Sequence, residues 1–209
     1  MYEQNKVQWV YSSEGNDELA DRYDQWADTY DVDLEKDFYW NGHIRSVEVF
    51  VEFVSPASKI IDVGCGTGLV GKQLVGKGFN HLHGFDMSQG MLTQARNRGI
   101  YEDLKIGVLG EPLDYPTNSF ESAIAAGVFS VGHAPASGWD ELARIVRPGG
   151  YLILTLRPDI FESSGFSAKE KALVSSKKWE LVDVTAPEPL LAKGEPDILH
   201  TIRVYRMLK

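Results

Sequence analysis

Apolar positions along the chain follow two rhythms. Leu19, Tyr23, Trp26 and Tyr30 recur at helical spacing, and Ile44, Val47, Val51 and Val54 repeat that spacing until Pro56 stops the run. Asn16 or Asp17 stands where the first of these helices needs a cap. From Lys59 the pattern shortens, and Lys59 to Val63, His81 to Phe85, Leu104 to Val108, Ser122 to Ala126 and Tyr151 to Leu156 read as strands. Helices are predicted between them: Leu69 to Lys77, stopped by Gly78; Met91 to Arg98, capped by Ser88 and closed by Gly99; and Asp140 to Val146, leaving through the turn Arg147-Pro148-Gly149-Gly150. Strands alternating with helices require right-handed crossovers, hence a mostly parallel α/β sheet covered on both faces. After Pro158 the order changes. Ala168 to Lys178 looks helical, while Trp179 to Thr185 and Thr201 to Met207 read as strands joined by a polar, proline-bearing loop. With no helix to carry a crossover, these two strands form an antiparallel pair at one sheet edge.

Composition adds limits. With 209 residues, 43% of them hydrophobic and 24% charged, the chain is expected to form one domain, residues 1–209, with no internal repeat or low-complexity tract. The balance of 21 Lys+Arg against 30 Asp+Glu leaves a net charge of -9, so counterion release from a phosphate backbone offers this surface little, and no nucleic-acid partner is expected. A lone cysteine, Cys65, forms no internal disulfide, and the first residues lack the apolar core of a secretory signal, which points to the cytoplasm. No apolar run reaches the roughly 18 residues of a membrane span, so no membrane partner is expected. No metal site is predicted.

The densest chemical signal is IIDVGCGTGLVG, residues 60–71. Gly64, Gly66 and Gly68 follow a strand end and precede a helix, where ligands of open α/β sheets gather and where bare backbone lets a ligand lie against the main chain. The helix starting near Leu69 turns free N–H groups toward that place. Asp86, about 20 residues after the glycines at the end of the next strand, is placed to accept both hydroxyls of a ribose. A nicotinamide fingerprint, G-x-G-x-x-G, would put its last glycine where Leu69 stands; the observed spacing is G-x-G-x-G.

DVGCGTG, with GFDMSQGML, NSFESAI and ARIVRPGGYLILTLR, resembles the class I S-adenosylmethionine-dependent methyltransferases over about residues 15 to 160. YDQWADTYD and LGEPLDYP narrow the resemblance to vertebrate methyltransferase-like proteins of small-molecule type. It implies a Rossmann-like seven-stranded, mostly parallel sheet with one antiparallel edge strand and helices on both faces. An N-terminal helical lid, residues 1–55, would cover a core of residues 56–209. It also implies S-adenosylmethionine as cofactor: Asp62 and Gly64 at its amino end, Gly66 and Gly68 at its sulfur and carboxylate side, Asp86 at the ribose, Met87 on the adenine face. Cys65, Thr67, Glu111 and Ala126 complete the implied contacts. Many members carry an acid where Leu109 stands, so adenine is expected to rest on backbone groups of Leu109 and Gly110. Tyr23, Trp26 and Tyr30 of the lid would offer aromatic faces to the sulfonium.

Transfer from a sulfonium needs mainly a nucleophile held in line, so few catalytic groups are demanded. His133 is the candidate base and Tyr30 the candidate lid contact at the reacting centre. The acceptor wall is expected from residues 128–139, with Phe129 and Trp139 supplying apolar area, and from Arg157, a pairing suited to a small anionic or hydroxylated acceptor. The alternative is a cofactor-binding sensor or partner protein without turnover. A nucleic-acid methyltransferase is disfavoured by charge and by AAGVFS standing where an Asn/Asp-Pro-Pro-aromatic motif would be.

Overall fold

The structure, a computed structural model, describes residues 5–209. It opens with a helix absent from the expectation, α1 (Lys6–Tyr11), which turns Val7 and Val10 inward and is capped by Asn5, whose side-chain oxygen accepts from the N–H groups of Val7 and Gln8. α2 (Asn16–Trp26) follows, with Gly15 at the cap and no side-chain capping bond, so Asn16 and Asp17 sit inside its first turn. The aromatic stripe does not continue on one helix. α2 stops at Trp26, and Tyr30 starts α3 (Tyr30–Asp33), which runs into a π-helical turn, Leu34–Phe38, closed by Tyr39 in the left-handed region at φ 49°.

α4 (Gly42–Phe53) ends ahead of Pro56, but its inward face is Ser46, Val47, Val49 and Phe50. Ile44 and Val51 are exposed, because the helix is rotated to pack on α5 and on strands β4 and β5 described next. The alternating part then runs β1 (Ile60–Val63), α5 (Leu69–Gly76), β2 (Leu82–Asp86), α6 (Gln89–Asn97), β3 (Asp103–Ile106), β4 (Phe120–Phe129), α7 (Gly138–Ile145) and β5 (Val146–Leu156). Ser88 caps α6 as expected, accepting from the Met91 N–H at 3.0 Å. The Arg147-Pro148-Gly149-Gly150 stretch is no helix exit but a bulge within β5: Val146 pairs with Phe120 and Tyr151 already with Ser122.

The chain closes with α8 (Pro158–Phe161), α9 (Phe166–Ser175), β6 (Trp179–Val184), the two-residue β7 (Glu188–Pro189) and β8 (Leu199–Met207). The sheet order is β3-β2-β1-β4-β5-β8-β6, with β7 pairing β8 beside this path. β8 is antiparallel to both β5 and β6, so the reversed strand lies one place inside the edge and β6 forms the rim. This is the mostly parallel Rossmann-like architecture, with the hairpin partner folded outermost.

Period-two alternation divides the core. Ile60, Leu82, Ile124 and Ile153 join one buried cluster with α4 and α5, while Ile61, Val63, Phe85, Ala123 and Leu152 join another with α7 and α9. A third cluster, built on Val7, Val10, Leu19, Trp26, Leu34, Phe38 and Leu191, belongs to the N-terminal helices and the loop before β8. Among the described residues no helix is long and apolar enough to cross a membrane.

Candidate active site

β1 delivers its chain to the carboxyl edge of the sheet, and the turn into α5 uses left-handed backbone at Gly64, Gly66 and Gly68, with φ of 58°, 54° and 90°. Their surroundings differ. A Cβ on Gly64 would lie 2.7 Å from a Val128 methyl, and one on Gly68 would press on Arg98 and Tyr101, whereas a Cβ on Gly66 would meet no protein atom within 4 Å. Of these three, only Gly66 combines left-handed backbone with open space. At the end of β2, Asp86 accepts the Gly66 N–H at 2.8 Å on one carboxylate oxygen and the Ser88 N–H at 2.9 Å on the other. Burial pushes this carboxyl above its ordinary range and the backbone N–H groups oppose the shift.

A cleft of about 700 Å³, counting its open mouth, lies here. Tyr23, Tyr30, Gly64, Gly66, Asp86, Met87, Leu109, Ala126 and His133 come together along it, joined by Asn16, Leu19, Phe85, Met91, Gly107, Val108, Gly127, Val128 and Ala134. The remaining expected cofactor residues stand outside this lining. Trp26 lines a neighbouring cavity and donates its indole N–H to Asp33. Cys65 is buried against Gly84, and burial raises its thiol. Thr67 gives its hydroxyl to Asp31, Gly68 lies under Arg98, and Gly110 faces Pro135. Glu111 is exposed, next to an isolated bridge with Leu109. Asp62 is sealed inside β1: the Tyr101 hydroxyl donates to one of its oxygens at 2.6 Å, the other has no partner, and burial pushes its carboxyl up to about 7.

The N-terminal helices are tied to the cofactor-side loops by acids. Asp24 accepts from the Ser88 hydroxyl and from the Gly90 N–H at 2.7 Å. Asp31 takes the Thr67 hydroxyl and the Arg98 guanidinium, and Asp28 takes the Gln94 amide at 2.8 Å. Sequence reasoning missed these three acids, since their partners lie more than 35 residues away, although all sit in the quoted YDQWADTYD. Single acids on a helix look like solvated surface until the opposite loop is known.

His133 Nδ1 lies 2.8 Å from the Val131 carbonyl, which can only accept, so that nitrogen carries the proton. Burial lowers the ring's pKa and keeps it neutral. Its bare Nε2 then accepts from the Tyr23 hydroxyl at 2.7 Å, which occupies the lone pair a general base would use. In this conformation His133 fastens α2. Tyr30 borders both cavities, and burial raises its phenol so that it stays protonated. The expected acceptor wall is rearranged. Trp139 is fully buried against Phe129, Phe166 and Trp179, and Arg157 is only 6% exposed, bound bidentately to Asp159 at 3.0 and 2.6 Å.

Residues 61–154 match the family model of the methyltransferase domain. Human Methyltransferase-like protein 27 is 37% identical over 172 residues, covering 77% of this chain and 66% of that protein. The 18S rRNA (guanine(1575)-N(7))-methyltransferase of Saccharomyces cerevisiae is 35% identical over 72 residues, 34% of this chain and 26% of that one. The chain thus spans about two thirds of the human relative's length and about a quarter of the yeast one's. Among solved structures, the complex between the Haloferax volcanii Trm112 methyltransferase activator and a methyltransferase aligns with a TM-score of 0.69 at 15% identity, over 91% of this chain and 97% of that one, a likeness of fold.

Proposed function

The chain belongs to the S-adenosylmethionine-dependent methyltransferases, and from that membership we propose that it transfers a methyl group from S-adenosylmethionine to a small-molecule acceptor. The observation that carries this reading is the pairing of Gly66 with Asp86: open space over a glycine in left-handed backbone, beside a carboxylate already aligned by two N–H groups. A carboxylate has about four lone-pair positions, so two remain free for vicinal hydroxyls, which fits the ribose of this cofactor. Met87, Leu109 and Val108 give the adenine an apolar slot, and Tyr23 and Tyr30 close the cleft over the reacting end.

When bound, the cofactor supplies a methyl on a sulfonium whose leaving group is a neutral thioether. The protein's part is to orient the acceptor, exclude water, and keep Tyr23 and Tyr30 neutral beside the transfer path. With His133 committed to Tyr23, positioning carries the reaction.

Family membership leaves the acceptor open, and the yeast relative's name concerns rRNA, so the expectation that excluded nucleic acid does not follow from the family. A small acceptor is supported by the net charge of -9 and by aromatic helices lying across the cleft. We place the reaction in the cytoplasm because the only cysteine is free and buried. The test is incubation with radiolabelled S-adenosylmethionine and a fractionated cell extract. Label in a small component is the expected result, label in RNA overturns the acceptor class, and tight cofactor binding with no transfer to any fraction favours the sensor reading.

A further inference from the structure

A second cavity, about 540 Å³ with its mouth, abuts the cofactor cleft, and the two share Tyr23, Tyr30, Ala126 and Gly127. Its other walls come from α1, from the π-helical turn and Trp40, from the end of β4, and from Leu191 and His200 near β8. Every side chain on this lining is uncharged. The nearby charges stand off this lining: Arg157 is clamped by Asp159, and Glu195, its carboxyl raised by burial, accepts the Gln8 amide on one oxygen while the other is buried without a partner. His200 is held neutral by burial, its pKa lowered to about 4. An anion entering here would lose its hydration without meeting a free cation, since Arg157 is already bound to Asp159.

Two polar groups on this lining lack partners. Ser130 Oγ and His200 Nδ1 are buried with no hydrogen bond, while their residues are only 9% and 5% exposed. Buried polar groups are ordinarily paired, so an orphaned pair beside a cavity marks a place where a ligand supplies the bonds. A hydroxyl, which both donates and accepts, suits either group. Thr155, also on this lining, accepts the Gly127 N–H at 2.8 Å and keeps its own proton to donate.

We propose that the second cavity is the acceptor site and that the acceptor is an uncharged, mostly apolar molecule bearing a hydroxyl that hydrogen-bonds Ser130 and His200. The proposal rests on the methyltransferase reading above; of the anionic or hydroxylated acceptor expected from the sequence, it keeps the hydroxylated one. It makes Ser130 and His200 specificity residues, with Trp40, Phe129 and Leu191 as the apolar walls.

The probes are β-naphthol and β-naphthoate, which share a ring system and differ in charge at neutral pH. Each is titrated calorimetrically into protein saturated with S-adenosylhomocysteine. Naphthol is expected to bind, naphthoate at least about tenfold more weakly, and Ser130→Ala and His200→Phe are each expected to weaken naphthol by about fivefold or more while leaving S-adenosylhomocysteine affinity unchanged. Equal or tighter binding of naphthoate overturns the proposal, as does naphthol affinity indifferent to both substitutions. The naphthol–naphthoate comparison uses the unaltered chain, so a variant that fails to fold does not remove the test. Loss of S-adenosylhomocysteine binding by the unaltered chain would overturn the methyltransferase reading itself. Normal S-adenosylhomocysteine binding without naphthol binding would overturn the acceptor class alone.

Discussion

Asp86 is the residue on which the proposed ribose contact turns. Asp86→Ala removes charge-assisted hydrogen bonds to the ribose and is expected to weaken S-adenosylhomocysteine at least about tenfold by calorimetry; unchanged affinity would withdraw the ribose assignment. Gly66→Val places a branched side chain both in left-handed backbone and in the open cleft, and is expected to abolish measurable binding. Asp62 gives a separate signature in pH. Its carboxyl titrates near 4 when unfolded and at about 7 in the fold, so between those values the folded chain holds a proton that the unfolded chain has released. Stability therefore falls as pH rises across that window, by on the order of 2 to 4 kcal/mol. Asp62→Asn is expected to flatten that part of a stability curve measured by urea denaturation from acid to neutral pH. The glycine loop and Asp86 were legible in the sequence because backbone chemistry limits what can stand there. Which glycine faces open space was not legible, since that depends on Arg98, Tyr101 and Val128 from other elements.

At the scale of elements, the alternating core was readable because strands buried on both faces and helices stopped by glycine leave strong periodic marks. The N-terminal helices were less so. α1 has six residues and two inward apolar positions, too short to persist without Asn5 and the packing beneath it. The aromatic stripe of Tyr23, Trp26 and Tyr30 reads as one continuous helix, whereas the chain breaks after Trp26. The lid expected from residues 1–55 becomes a testable device through its acids. Asp24→Ala, which frees Ser88 and the Gly90 N–H, is expected to speed amide exchange in α2 severalfold or more without changing β1 or β4. Added S-adenosylhomocysteine is expected to slow exchange from Tyr23 to Asp31 in the native chain. Equal exchange with and without ligand would mean that these helices are a fixed wall.

Over the whole molecule, two apolar clusters divide between the faces of one sheet, and the third holds the N-terminal helices to the loop before β8. The third cluster is tied to the loops and helices at the carboxyl edge of the sheet by side-chain bonds from Asp24, Asp28 and Asp31 and by the Tyr23–His133 bond. Native-state exchange in low denaturant is expected to show the N-terminal helices opening before β1, β4 and β5, at a lower free energy than global unfolding. A single transition shared by all of them would show that the third cluster is integral to the core. The sequence pattern could not foresee this division, because Leu191 joins the cluster from nearly the far end of the chain.

Tyr23 and Tyr30 form the partition common to both cavities, and both belong to the segment proposed as a lid. Opening that partition for one ligand dismantles the chamber for the other. If the lid opens, turnover is expected to follow a compulsory sequence, with the methyl donor entering first and the demethylated donor departing last, and initial-rate kinetics would then display the demethylated donor as a competitive inhibitor against the donor but not against the acceptor.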